Sequence, residues 1–218
     1  MNFVRSTWAA GAELTLVGVI VCYGSFSVFN LVLLFLLGSQ SLWIRGLGWS
    51  DLGLHRPAAP GRTVLHAVAA SVALLVAIRI AIVPFAVLVT GEAVDLSAFG
   101  EPGDTRAYAV WFAQAWTLAA FGEEMVFRGY LITRVSELTG NTGMGRVVAV
   151  AASSALFGLA HRYQGWAGVI ATGIIGAALG TLYLCGRKNL WTVIICHGIV
   201  DGVILSTLYF GHRSLLFP

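Results

Sequence analysis

The sequence predicts an all-α protein, a polytopic transmembrane bundle of about six helices. Of its 218 residues, 58% are hydrophobic and only 11% are charged, whereas soluble domains carry about 25% charged residues. A soluble fold of this size could not bury so much apolar surface, so we expect a membrane protein. The apolar runs lack alternation at a period of two, which argues against a closed β-barrel.

Six apolar segments predict the helices in chain order. Their approximate bounds are Leu14–Leu37, Val64–Val89, a third that starts near Ala107 and carries residues 121–128, then Arg146–His161, Trp166–Cys185 and Leu190–Phe210. Most approach the ~20 residues that cross the hydrocarbon core. The fourth is shorter, and we expect it to end inside the membrane or at a cavity. The N-terminal run has no clear cleavage site, so we interpret it as a retained span.

Charges in the linkers predict an orientation. The linkers after the first, third and fifth helices contain Arg45, Arg56, Arg62, Arg134, Arg146, Arg187 and Lys188. The linker before the third helix contains Glu92, Asp95, Glu101 and Asp104. By the positive-inside rule the basic linkers face the cytoplasm, and both termini are expected outside. We predict a multi-pass protein of a bacterial-type cell membrane, and the scattered basic residues argue against a nucleic-acid partner.

Ionisable side chains within the predicted spans indicate a functional site, because charge at membrane depth is costly unless it is paired or hydrated. These residues are His66, Arg79, Glu123, Glu124, Arg128, His161, His197 and Asp201. His66 and Arg79 stand alone on the second predicted helix. Arg79 could extend to the interface, contact lipid, or pair with Asp201 or Glu123, and the sequence does not choose among these.

Helical spacing sorts the remaining residues. Glu124 and Arg128 are four residues apart, so they share a face and can form an ion pair. Glu123 lies ~100° around the helix from Glu124, which leaves its carboxylate free. Counting ~1.5 Å per residue from the predicted turn places Glu123 and His161 at the same depth. His197 and Asp201 share a face and join this layer if the longer hairpin protrudes from the bilayer.

A free carboxylate and a histidine that converge on one water form a general-base pair. A second polar pair across the cavity could bind a carbonyl oxygen as it gains charge. We therefore predict amide hydrolysis without a covalent intermediate, since no Ser or Cys lies in a recognisable nucleophile motif. No cofactor is expected. Zinc held by Glu and His is a minor alternative, because the His-Glu-x-x-His motif is absent.

Three short motifs on separate apolar helices resemble those of the CPBP intramembrane proteases. They are Glu123-Glu124-x-x-x-Arg128, Phe157-x-x-x-His161 and His197-x-x-x-Asp201. The resemblance covers about residues 107–210. This family includes CAAX prenyl endopeptidases, bacteriocin-processing enzymes and proteins similar to lysostaphin-resistance protein A. The resemblance implies a glutamic-type intramembrane endopeptidase on an all-α bundle.

The resemblance also implies roles for the motif residues. Glu123 would be the general base and His161 would orient the water. Glu124 and Arg128 would form a structural ion pair beside the packing residue Phe157.

His197 and Asp201 would line the oxyanion side. An ionised Asp201 cannot donate a hydrogen bond, so it would orient or charge His197 unless burial keeps it protonated.

On this basis the chain divides into three parts: an N-terminal transmembrane region of two helices and loops at 1–106, a catalytic core at 107–210 and a tail at 211–218. The predicted reaction is hydrolysis of a peptide bond in a membrane-associated protein or peptide, with the lipid bilayer as surroundings.

Two alternatives stay open. One is a non-catalytic bacteriocin-immunity or membrane-partner protein of the same fold, and the other is a proton-coupled transporter that uses the buried carboxylates as a relay.

Overall fold

The computed structural model describes residues 7–23, 27–99 and 103–212. Within these ranges the chain forms seven helices, a few short 3-10 turns and no β-strand, which confirms the all-α prediction. The helices are α1 Thr7–Cys22, α2 Val28–Ile44, α3 Pro60–Thr90, α4 105–138, α5 Gly143–Ala160, α6 Gly165–Cys185 and α7 Leu190–Tyr209. Glu101 of the acidic linker and residues 213–218 of the predicted tail lie outside the described residues.

The predicted first helix, Leu14–Leu37, is two antiparallel helices, so three helices rather than two precede α4. Near one end of the hairpin, Asn30 Nδ2 donates to the carbonyl oxygen of Ile20 at 3.2 Å. Near the other end, Ser41 Oγ donates to a Glu13 carboxylate oxygen at 3.0 Å. The apolar residues on both sides of the break hid it from the sequence analysis.

The hairpin also changes where the chain ends lie. The start of α1 is at the same end of the bundle as the basic linker after α2, because α1 and α2 are antiparallel. The end of α7 is at the opposite end, where Gly103 N donates to the Tyr209 carbonyl oxygen at 2.9 Å. Thr7 and Tyr209 therefore lie at opposite ends of the bundle, whereas the prediction of both termini outside assumed an even number of helices; the orientation in the membrane stays a prediction.

Four helices within the described residues are long and apolar enough to cross a membrane. They are Pro60–Thr90, Gly143–Ala160, Arg162–Cys185 and Leu190–Tyr209. Helices α1 and α2 are apolar but shorter. With these spans the chain is a multi-pass integral membrane protein.

Helix α4, which carries Glu123, is not among the helices that are long and apolar enough to cross a membrane, although its sequence predicted a span. It packs against α2, α5, α6 and α7, and every residue from 123 to 132 is buried. A helix enclosed by other helices need not be apolar, because its side chains meet protein rather than lipid. Its middle section, Ala115–Leu131, is π-helical, a rare geometry often found at functional sites.

Close packing between α4 and α7 requires a small residue. A Cβ atom added at Gly198 on α7 would lie 2.6 Å from the indole ring of Trp116 on α4. Only glycine fits at this contact without a shift of the indole ring or of a helix. Since His197 is the next residue on α7, the contact also sets the distance of His197 from α4.

Candidate active site

The Glu124–Arg128 ion pair lies in the interior of the bundle. Arg128 Nη1 is 2.8 Å from Glu124 Oε1, and the two side chains are 1% and 0% exposed. The guanidinium lies over the Phe157 ring of α5, 4.2 Å from its centroid, and Nη2 donates to the carbonyl oxygen of Gly176 at 3.4 Å. The pair therefore joins α4 to α5 and α6.

The buried imidazole of His197 lies between two carboxylates. Its Nδ1 is 2.7 Å from Glu124 Oε1, and its Nε2 is 3.3 Å from Asp201 Oδ2 on the next turn of α7. Ionised carboxylates only accept hydrogen bonds. With both acids ionised, both ring nitrogens must carry hydrogen, and the ring is an imidazolium.

His161 directly follows the last residue of α5, and its tautomer is set by the main chain. Its Nδ1 lies 2.8 Å from the carbonyl oxygen of Phe157. A carbonyl oxygen only accepts, so Nδ1 carries the hydrogen, and in the neutral ring Nε2 is the acceptor. The ring also packs on Phe157, with 4.7 Å between centroids.

Glu123 is the neighbour of Glu124 but has different surroundings. Its side chain is buried, and its Oε2 has no hydrogen-bond partner within the described residues. Glu123 lines a cavity of about 530 Å³, whereas Glu124 does not. The two adjacent carboxylates therefore differ in surroundings. Glu124 belongs to a buried ion pair, whereas Glu123 faces the cavity.

This cavity brings together ionisable motif residues of α4, of α7 and of the end of α5. Glu123, His161, His197 and Asp201 all line it, and Phe157 forms part of the wall. Other wall residues are mostly apolar, among them Leu74, Ile78, Leu118, Ile175 and Ile204. The cavity therefore offers a polar side to a reacting group and an apolar side to an uncharged chain.

Residues 105–203 match a family model described as type II CAAX prenyl endopeptidase Rce1-like. This segment is an Rce1-like domain. The family resemblance drawn from the three motifs is thereby confirmed, since all three lie within the match. At the level of the family, the domain is that of a CAAX-type membrane protease. Neither a curated protein nor a solved structure is significantly similar to the chain.

Helices outside the Rce1-like domain attach to it through a polar cluster that sequence analysis missed. Glu13 of α1 accepts from Tyr130 of α4 at 2.9 Å and pairs with Arg45 after α2 at 2.8 Å. Arg134 of α4 lies 3.5 Å from the same carboxylate and also pairs with Glu137. Both arginines are nearly buried, so the cluster fixes the α1–α2 hairpin to α4.

Polar residues without a full charge were also missed at the cavity of the Rce1-like domain. Trp111, Gln114, Tyr163 and Gln164 line it together with the ionisable residues. None of them carries a full charge within an apolar segment, although the position of Tyr163 and Gln164 two and three residues after His161 was a usable signal.

Arg79, whose role the sequence left open, is exposed on α3. Within the described part of the chain it forms no ion pair with Glu123 or Asp201. The two pairings considered for it are therefore not observed.

Proposed function

We propose that the chain is a glutamic-type intramembrane endopeptidase that hydrolyses a peptide bond in a membrane-associated protein or peptide. The observation that carries the proposal is Glu123. Its buried carboxylate lines the cavity of the Rce1-like domain and has an oxygen without a hydrogen-bond partner in the described residues. Such a group is suited to accept a proton from a bound water.

In this proposal Glu123 and His161 act on the same water. Nδ1 of His161 is engaged with the Phe157 carbonyl, so Nε2 is left to accept a hydrogen bond from that water. Glu123 removes one proton as the water oxygen attacks the carbonyl carbon of the substrate. The proton then passes from Glu123 to the amide nitrogen, the C–N bond breaks, and an acid and an amine leave.

We assign a charge-holding role to the groups around His197. Glu124 and Asp201 lie on opposite sides of its ring, which supports a positive imidazolium beside the cavity. That charge would stabilise the oxyanion of the tetrahedral intermediate. Asp201 would then act through His197 rather than by donating a hydrogen bond itself. Arg128 holds Glu124 in place for this task.

The test compares membrane fractions that contain the wild-type protein with fractions that contain Glu123→Gln. We expect one or more peptides to be cut only in the presence of the wild type, with the rate lowered at least about 100-fold in the variant. His161→Ala should give the same loss. The matched control is Glu137→Gln, the same change on the same helix but away from the cavity, and it should keep activity.

Cleavage that persists in both Glu123→Gln and His161→Ala, with both proteins folded in detergent, would contradict the proposal. An identical peptide pattern in all fractions would favour a non-catalytic protein instead. The substrate sequence would come from the same experiment, since the new ends mark the cut site. The location we propose is a bacterial-type cell membrane.

A further inference from the structure

Hydrolysis at this cavity needs a hydrogen-bond donor for the carbonyl oxygen, because that oxygen becomes negative in the intermediate. Two of the nearby ring N–H groups are already hydrogen-bonded, namely Nδ1 of His197 and Nδ1 of His161. The ring nitrogens of His197 face Glu124 and Asp201, and Nδ1 of His161 faces the Phe157 carbonyl. The His197 ring therefore offers at most its Nε2 side, which lies 3.3 Å from Asp201 Oδ2. A second, neutral donor would complete the site for the carbonyl oxygen.

Tyr163 presents such a donor. It lies in the short turn Arg162–Gln164 that follows His161, and it lines the same cavity. Its Oη accepts a hydrogen bond from Gln164 Nε2 at 3.1 Å. The hydroxyl hydrogen is thus left over, and no acceptor for it occurs among the residues that the structure describes.

The position of this hydroxyl also fits. The Tyr163 ring lies 5.9 Å from the His161 ring and 6.4 Å from Phe99. Glu123 and Asp201 line the same cavity as Tyr163. The donor is therefore on the side of the cavity where the base and the water would meet the substrate.

Two other polar residues line the cavity but are less well placed. Trp111 and Gln114 precede Glu123 on α4 by twelve and nine residues. This separation is roughly 10 Å or more along the helix axis. They are positioned to contact parts of a substrate away from the bond that breaks.

We propose that Tyr163 is a further catalytic residue, whose hydroxyl donates a hydrogen bond to the carbonyl oxygen of the scissile peptide bond. Gln164 is its positioning residue. The inference rests on the proposed function. When water attacks, the π electrons of the carbonyl move onto its oxygen, and the hydrogen bond from Tyr163 strengthens. The hydrogen stays on Tyr163 throughout, so no extra proton is consumed.

Gln164 is itself held firmly enough to position the hydroxyl. Its side chain is largely buried. Its main-chain carbonyl oxygen accepts a hydrogen bond from the main-chain nitrogen of Asp95 at 2.9 Å. The linker between α3 and α4 therefore fixes the turn that carries Tyr163. This contact places a segment outside the Rce1-like domain next to the proposed oxyanion donor.

The test uses Tyr163→Phe, which keeps the ring against His161 and removes only the hydroxyl. The probe is a peptide spanning the cut site found by the membrane-fraction comparison. We expect kcat to fall about 100-fold, KM to change less than about threefold, and the fold to be unchanged. Tyr108→Phe is the matched control, because Tyr108 pairs with Ser206 at 3.1 Å and is not a cavity residue. It should keep the wild-type kcat.

Two further variants separate catalysis from structure. Replacement of Tyr163 by 3-fluorotyrosine retains the hydroxyl and should retain at least about half of kcat, even if Tyr163→Phe proves unstable. Gln164→Leu should lower kcat in the wild-type background but add little to Tyr163→Phe, because it acts through the hydroxyl. A full additional loss in the double variant would overturn the positioning role of Gln164.

A wild-type kcat in folded Tyr163→Phe, with Glu123→Gln inactive, would overturn the role of Tyr163 and leave the proposed function standing. An inactive 3-fluorotyrosine protein that is folded would also overturn it. If the wild type and Glu123→Gln give identical products, the proposed function itself fails, and the inference falls with it.

Discussion

Arg128 carries a full charge among apolar and aromatic neighbours, and we expect it to contribute to the stability of the fold. It pairs with Glu124 and lies on the Phe157 ring. Removal of one partner of a buried ion pair leaves an uncompensated charge, which typically costs about 3–5 kcal/mol.

We therefore expect Arg128→Met to lower the free energy of unfolding by about 3 kcal/mol, measured by denaturant titration in detergent. Arg62→Met, at an exposed position in the first turn of α3, is the matched control and should change it by less than about 0.5 kcal/mol. Equal stability of the two variants would show that burial of the Glu124 carboxylate does not depend on the charge of Arg128.

The chemistry proposed for Glu123 and His161 uses water and side chains alone. Within the described residues no group of three or more His, Cys, Asp or Glu side chains is arranged to hold a metal ion. We expect EDTA and 1,10-phenanthroline to leave the cleavage rate within about twofold of its value. A loss that added zinc restores would contradict the metal-independent mechanism and revive the zinc alternative.

At the scale of elements, the contact of Gly198 with Trp116 sets the separation of α4 and α7. A methyl group at Gly198 would meet the indole ring, so either the ring or the helices must shift, and we expect His197 to move relative to Glu124. We expect Gly198→Ala to lower stability by about 1–3 kcal/mol and to lower the cleavage rate in parallel.

Gly61→Ala is the control for this change, because nothing lies within 4 Å of the added Cβ. The double variant Gly198→Ala with Trp116→Ala provides the second check. Activity that returns when the indole is removed would support the steric explanation. No recovery in the double variant would contradict it.

The polar cluster around Glu13 attaches α1 and α2 to α4. Glu13→Gln removes the charge that faces both Arg45 and Arg134, whose side chains are each 6% exposed. We expect faster hydrogen exchange throughout α1 and α2, measured by mass spectrometry in detergent, with little change in α6 and α7. Unchanged exchange in the hairpin would show that apolar contacts alone hold it.

At the scale of the whole molecule, seven helices give the chain a definite sidedness. If the basic linkers face the cytoplasm, then Arg56 is inside and Glu92 is outside. Both side chains are exposed, so single cysteines there can be labelled. In intact cells, an impermeant maleimide should label Glu92→Cys and not Arg56→Cys. The reverse pattern would invert the predicted orientation.

The bundle and the ionisable part of the site could be predicted because both rest on local spacing. Charges four residues apart share a helix face, and the Glu124–Arg128 contact needs nothing more. Ionisable residues within apolar spans also included His161 and His197, and the resemblance of the motifs then implied their roles. Depth counted along the helices was enough to expect Glu123 and His161 at a common level.

The features that the sequence did not reveal depend on tertiary contacts. The break before α2 is hidden because apolar residues continue on both sides of it. Tyr163 is oriented by Gln164 and Phe99, which lie in turns whose direction no periodic pattern describes. The cluster around Glu13 joins residues about 30 and more than 100 positions apart, so spacing along the chain could not connect them.

The modest apolarity of α4 has a consequence for how the protein is made. The helix that bears Glu123 would gain little by entering lipid alone, since its buried charges Glu124 and Arg128 have their partners outside α4 on α5, α6 and α7. Its insertion must therefore depend on segments that the ribosome has not yet delivered when α4 emerges. A nascent chain cut short before α5 would leave α4 outside the hydrocarbon, and the reaction centre would form only when synthesis is nearly finished.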